Sequence, residues 1–112
     1  MKLRPGFLHR SGGGITPTFV GTGTVGSTGS TFFPILPTYP AGVEANDIAL
    51  LLLENYAADG AVSPGSGYAS VSGSPITDGA TGTRLHVFWK RLDGSEEGGS
   101  ESIVNFGNHL IG

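Results

Sequence analysis

The hydrophobic residues of this chain are concentrated in one short stretch. Six consecutive apolar residues, from Ile48 to Leu53, lie between Asp47 and Glu54. A continuous apolar run of this length is typical of a strand that is covered on both faces. We therefore predict a central strand here, with one face in the core and the other covered by the N-terminal arm or by a neighbouring subunit. On this interpretation, replacing Leu51 with Asp disrupts assembly as well as folding.

A second strand is predicted from residues 84–91, in which side chains of two kinds alternate. Alternate residues of a strand point to opposite faces of a sheet, and the more hydrophobic set is expected to face the core. The core set is Leu85, Val87 and Trp89, and the opposite set is His86, Phe88 and Lys90. Phe88 is then the better candidate for a contact between subunits or between sheets.

Trp89 also has an alternative interpretation. Exposed aromatic side chains stack on the faces of sugars in β-sandwich modules, and Phe88, Tyr68 and Tyr56 belong to the same set of candidates. The alternation of Trp89 with Val87 favours the core over the sugar-binding surface.

Glycine and proline divide the remainder of the chain into short segments. There are 20 glycines and 7 prolines among 112 residues, and turn signals recur roughly every 8–12 residues, as in sandwiches and barrels. Further strand candidates are residues 15–25, 31–36, 68–71 and 102–111. Pro34 restricts its segment to a sheet edge because proline has no N–H to donate.

These patterns predict an all-β fold, an antiparallel β-sandwich of jelly-roll or Ig-like type with little or no helix. The length suits one domain. Residues 15–112 are assigned to the sandwich, and residues 1–14 to a flexible N-terminal arm that ends in three glycines.

Charge and cysteine content narrow the class of function. The net charge is −3, the pI is near 5.4 and there is no basic patch, which disfavours nucleic acid as a partner. The absence of cysteine excludes disulfides and thiol chemistry. No apolar run approaches the roughly 20 residues of a membrane helix, and residues 1–14 lack the apolar segment of a secretory signal.

One glycine motif suggests nucleotide binding at first sight. Gly21, Gly23 and Gly26 fit the pattern G-x-G-x-x-G. That fingerprint needs a helix directly after it, whose N-terminus meets the pyrophosphate. The residues that follow are Ser-Thr-Gly-Ser-Thr-Phe-Phe-Pro, which do not start a helix, so the motif is interpreted as a β-loop.

Other chemically active residues form no recognisable constellation. His9, His86 and His109 lack the spacing of metal ligands. Carboxylates crowd residues 93–101, where Asp93, Glu96, Glu97 and Glu101 leave a calcium site open as an alternative to solvated charges. No serine lies in a nucleophile elbow. We expect no enzyme activity, with no catalytic, cofactor-binding or metal-binding residues and no cofactor.

Several segments taken in order carry a family resemblance. They are residues 17–20, 40–43, 46–53, 67–75, 83–91 and 94–96. Together they resemble a family of tailed-bacteriophage virion proteins, β-rich modules of the tail-fibre-like or minor-tail type, over roughly residues 17–112. The resemblance implies a structural, non-enzymatic role on the virion surface. It also implies that residues 107–111 run on as a strand. Because the sequence stops at Gly112, we expect either a domain cut short at its C-terminal end or a strand supplied by a neighbouring subunit.

The expected function is that of a tail appendage or fibre module for assembly or host attachment, located in the virion after assembly in the host cytoplasm. The loops at residues 55–67 and 93–100 are expected to face outward. A capsid decoration, or cement, protein is the alternative within this class, and a carbohydrate-binding module is the alternative from another class. The expected partners are tail or capsid subunits, further copies of the chain and, for attachment, a host surface glycan. Neither nucleic acid nor a membrane span is expected.

Overall fold

A computed structural model describes residues 16–29, 34–59, 62–79, 82–104 and 110–112. These residues contain no helix and six strands, namely β1 (Ser27–Thr28), β2 (Ile48–Tyr56), β3 (Ala69–Ser70), β4 (Ile76–Thr77), β5 (Thr83–Arg91) and β6 (Leu110–Ile111). The strands form one antiparallel sheet in the order β1-β6-β2-β5-β3, and β4 also pairs with β5. The prediction of an all-β, antiparallel fold is therefore confirmed for the described residues. The expected N-terminal arm lies outside them.

Strands β2 and β5 form the centre of the sheet. They pair along their full length, from Ile48 opposite Arg91 to Tyr56 opposite Thr83. Both are nine residues long, whereas the other strands have two residues each. The two stretches with the strongest hydrophobic patterns thus became the two long strands, as predicted.

A tight turn and a β-bulge determine where β2 begins. The Asp47 carboxylate accepts a hydrogen bond of 2.9 Å from the Glu44 N–H, and the Asp47 N–H donates to the Glu44 carbonyl. Asn46 has a positive φ of 75°, a conformation that asparagine tolerates better than most residues. Asn46 and Asp47 together oppose Leu92, because Leu92 accepts from the N–H of Asn46 and donates to the carbonyl of Asp47.

The core lies on one face of the sheet, which we call the inner face. A second layer of chain covers it, in which Ile35 is bridged to Ile103 and Thr38 to Ser100, both antiparallel. The buried apolar residues are Ile35, Val43, Leu51, Leu53, Ala57, Val62, Leu92 and Ile103. Strand β2 therefore contributes its odd-numbered leucines to the core.

The prediction for the two faces of β5 is wrong. His86 is buried, and Phe88 packs against the core cluster. Leu85 and Trp89, which were predicted to be core residues, are 37% and 41% exposed. Phe88 is consequently an inner-face residue and no candidate for a contact surface.

The polar residues of β5 can face inward because other segments supply their partners. The Nε2 atom of His86 donates a hydrogen bond of 3.1 Å to Oδ1 of Asn55. Asn55 lies on β2 and is fully buried. The Nζ atom of Lys90 lies 3.1 Å from a carboxylate oxygen of Glu96 and 3.5 Å from one of Glu101. A buried polar group that is hydrogen-bonded avoids most of the cost of leaving water.

Residues 16–25 were predicted to include a strand, but they form none. Side chains attach this segment instead: the hydroxyls of Thr24 and Thr38 are 2.8 Å apart, and each also accepts from the other residue's N–H. The contact is close, because a Cβ atom added at Gly23 would collide with the carbonyl oxygen of Thr38. Glycine at this position allows the two backbones to approach.

The prediction that residues 55–67 form an outward-facing loop is partly wrong. Asn55 and Tyr56 complete β2, and Asn55, Ala57 and Val62 are buried. Apolar residues within this glycine-rich segment therefore belong to the core. Residues 93–100 are mainly exposed, as expected.

Candidate assembly surface

The opposite face of the sheet, which we call the outer face, exposes a continuous apolar surface. It is formed by the even-numbered residues of β2, the odd-numbered residues of β5 and Ile76 of β4, which lies directly opposite Leu85. Its large exposed side chains are Ile48, Leu50, Leu52, Ile76, Leu85 and Trp89, and each is between 37% and 67% exposed. Monomeric proteins rarely leave so many adjoining large apolar side chains in water, so such a face indicates an interaction surface.

The pairing register places these side chains side by side. Leu50 lies opposite Trp89, and Leu52 lies opposite Val87, at adjacent levels of the same face. On the far side of β5, Ala69 of β3 lies opposite Trp89. The centre of the outer face is therefore entirely apolar.

The two long strands bring only two charged residues to the outer face. Arg91 lies at one end, opposite Ile48, and Glu54 lies at the other end, opposite Leu85. Six residues separate the two levels, which is roughly 20 Å along a strand. The outer face thus has a positive end, an apolar centre and a negative end.

Leu51 lies on the inner face and is 8% exposed. The prediction that one face of the apolar run needs an external cover applies to its neighbours Leu50 and Leu52, which are 64% and 56% exposed. An Asp at Leu51 reports on the core alone, so a test of assembly belongs at Leu52.

One edge of β2 is also open among the described residues. Strand β6 pairs with β2 only at Glu54 and Asn55. Beyond this pairing, a broad groove adjoins the edge, and its lining includes residues 17–25 and 43–52. The backbone bonds of Asp47 and Ala57 with the segment of β5 show that the odd positions of β2 form the hydrogen-bonded pairs. In an antiparallel ladder, the N–H and C=O groups of the alternate, even positions point away from β5, which here is toward the groove. The strand expected from a neighbouring subunit stays a prediction.

A half-buried polar cluster lies on the inner face near the same end of the sheet. The Tyr39 hydroxyl donates to a carboxylate oxygen of Glu101 and lies 2.9 Å from the hydroxyl of Tyr68. The proton of Tyr39 is used on Glu101, so the Tyr68 hydroxyl donates to Tyr39. Lys90 completes the cluster between Glu101 and Glu96. These residues come from four separate segments, and their hydrogen bonds attach three loops to β5.

The surroundings of the two tyrosines and of Lys90 hold the tyrosines neutral and the lysine charged. Burial and the hydrogen bond to Glu101 raise the pKa of Tyr39 far above its usual range, and burial also raises the pKa of Tyr68. Burial alone would lower the pKa of Lys90, but the hydrogen bond to Glu96 and the nearby carboxylates outweigh it and raise that pKa. Neutral tyrosines and a charged lysine stabilise the fold here, and neither type serves as a base at neutral pH.

The carboxylates of residues 93–101 have hydrogen-bond partners within their own loop and in other segments. Glu96 accepts the N–H groups of Asp93 and Gly94 in addition to its contact with Lys90. Asp93 accepts from the N–H and the hydroxyl of Ser95, and these hydrogen bonds lower its pKa. Glu97 accepts the N–H of Gly42 at 2.9 Å. Within the described residues, no three His, Asp or Glu side chains converge as metal ligands would.

The remaining sequence motifs show no sign of the chemistry that was considered for them. After Gly26 of the glycine motif comes strand β1, where a nucleotide fingerprint would have a helix. His86 is buried. Its pKa is lowered, mainly by burial and to a smaller extent by the positive charge of Arg84. His9 and His109 lie outside the described residues.

Comparison of the chain with known protein families, with curated proteins and with solved structures found no match. The resemblance to tailed-phage virion proteins therefore stays a prediction. In the described part of the chain, no helix is long and apolar enough to cross a membrane.

The sequence-based prediction found only the part of the outer face that β2 supplies. An apolar run without alternation indicates that both faces of β2 are apolar, and this part of the reasoning leads to Leu50 and Leu52. Ile76, in a two-residue strand, has no such signal. Leu85 and Trp89 were assigned to the core because the partners of His86 and Lys90 are distant in sequence.

Proposed function

We propose that this chain is a non-enzymatic structural protein of a tailed-bacteriophage virion, a module of a tail appendage or fibre. The observation that carries the proposal is the exposed apolar outer face, because an apolar sheet face of this extent suits a subunit that is built into a larger assembly. The open edge of β2 supports the same role, since strand addition is a common mode of subunit assembly. A β-sandwich, completed by a neighbour on the outer face, is the architecture we propose for the assembled state.

Immunogold labelling of purified particles of the phage that encodes the chain tests this role. Label on tails is expected. Label on capsid shells alone would instead support a decoration protein, and unlabelled particles would contradict a virion role altogether.

A matched pair of variants connects the role to the outer face. Leu52→Asp places a charge in the apolar centre, whereas Leu36→Asp alters a leucine of similar exposure, 55% against 56%, elsewhere on the molecule. Particles are expected to lack the first variant and to contain the second. Equal incorporation of both would show that the outer face has no part in assembly.

A carbohydrate-binding module is the second candidate, and the exposure of Trp89 on the outer face favours it. Its neighbours across the strands, Leu50 and Ala69, are apolar, whereas a sugar site also needs polar groups that hydrogen-bond to hydroxyls. We therefore rank it second. A glycan array with and without chelator, together with Trp89 fluorescence, tests it: binding that is lost in Trp89→Ala would support it, and no binding to any sugar would dispose of it.

A further inference from the structure

We infer that the partner of the outer face is a second copy of this chain, packed face to face with its strands running in the reverse direction. The inference rests on the proposed assembly role of the same face and adds the identity and the orientation of the partner. Two sheets that meet in this way form a sandwich with an apolar layer about 10 Å thick.

The charge pattern of the outer face is complementary to itself only in this orientation. Arg91 and Glu54 lie at opposite ends of an apolar centre. A two-fold axis perpendicular to the strands brings the end with Arg91 against the end with Glu54 of the second copy, and symmetry makes the contact twice. An axis parallel to the strands would place the Arg91 end of one copy against the Arg91 end of the other, which is repulsive.

The apolar residues are also complementary under the same operation. The axis crosses the face midway between the levels of Arg91 and Glu54, at the level of Leu51 and Phe88. Leu50 of one copy therefore faces Leu52 of the other. Trp89 shares the level of Leu50, and Val87 shares the level of Leu52, so the large Trp89 faces the small Val87 of the second copy. Large residues set against small ones allow two faces to interdigitate.

Analytical ultracentrifugation from micromolar to millimolar concentration tests the dimer. The wild-type chain is expected to show a reversible monomer–dimer equilibrium. Leu52→Asp buries two unpaired charges per dimer and should weaken association by about 100-fold or more, whereas Leu36→Asp should leave the dissociation constant within about threefold. A wild-type chain that stays monomeric throughout the range would overturn the inference.

Charge reversal in separate copies tests the orientation and leaves the apolar centre intact. Arg91→Glu alone and Glu54→Lys alone each create two repulsive pairs and should weaken their own dimers roughly tenfold. In an equimolar mixture, both end contacts become attractive between the two variants. The mixture should therefore associate within about threefold of wild type, as mixed dimers. With the axis parallel to the strands, each variant alone would keep like charges in contact and associate as wild type does, and the mixture would associate more tightly than wild type. Either of these results, or no recovery in the mixture, would refute the reversed packing.

The circular dichroism and urea midpoint of each variant show whether it is folded. If Leu52→Asp unfolds the chain, the reversal of the exposed Arg91 decides the question, because it leaves the core untouched. The outcome is separate from that of the proposed function: a monomer whose incorporation into particles still depends on Leu52 would refute the dimer but not the virion role. A chain that forms the dimer but is absent from particles would support the dimer and refute the virion role.

Discussion

The assignment of the two faces of β2 is tested most directly by shortening two adjacent leucines. Leu53 is fully buried on the inner face, whereas Leu52 is 56% exposed on the outer face. The two residues share the strand, its pairing with β5 and the leucine side chain, and their side chains occupy opposite faces. Leu53→Ala and Leu52→Ala therefore form a matched pair.

The expected losses of stability follow from burial. Leu53→Ala removes buried atoms and leaves a cavity beside Ile35 and Ile103, which should cost about 3–4 kcal/mol of the free energy of unfolding. Leu52 is less than half buried, and full burial of a leucine contributes roughly 2–3 kcal/mol, so Leu52→Ala should cost about 1 kcal/mol. A domain of this size has a stability of roughly 6–15 kcal/mol, so both variants should fold.

Urea unfolding followed by the fluorescence of Trp89, the single tryptophan, measures both losses. Leu53→Ala should lower the urea midpoint by about 2 M and Leu52→Ala by about 0.5 M. Protein concentration gives an internal control. The cost of Leu52→Ala should increase with concentration because the dimer buries this residue, whereas the cost of Leu53→Ala should stay constant. At the lowest concentration, a loss for Leu52→Ala that equals or exceeds that for Leu53→Ala would refute the assignment of faces.

Two further predictions concern the polar groups of the inner face. The pKa of His86 in the folded chain lies below its unfolded value of 6.5, so the unfolded chain binds the extra proton. Stability should therefore fall as the pH falls below about 6.5, by no more than about 1.4 kcal/mol per pH unit. Subtracting the stability profile of His86→Gln isolates this contribution, and profiles of wild type and variant that run parallel would contradict it. Tyr39→Phe removes hydrogen bonds to Tyr68 and Glu101 and should cost about 1.5–3 kcal/mol in urea unfolding, whereas Tyr56→Phe, whose hydroxyl has no partner among the described residues, should cost under about 0.5 kcal/mol. Similar losses in the two variants would show that the cluster does not stabilise the fold.

The two long strands, their antiparallel class and the surplus of apolar surface on β2 follow from the sequence pattern alone. Local chemistry accounts for these features. A run of aliphatic residues favours a strand, and the glycines and prolines around it exclude helix. The six apolar residues from Ile48 to Leu53 cannot all enter a core that covers a single face, so the need for a second cover was already present in the pattern.

Which face of β5 is covered depends on contacts between segments that are distant in sequence. The alternation of residues 84–91 separates two sets of side chains but does not say which set is buried. The more hydrophobic set was expected inside, yet His86 and Lys90 face inward because Asn55 and the carboxylate of Glu96 meet them there. Those partners come from other segments, and the energy of burying a polar group depends on whether a partner is present. The apolar set, including Trp89, was left for the outer face, where the proposed assembly takes place.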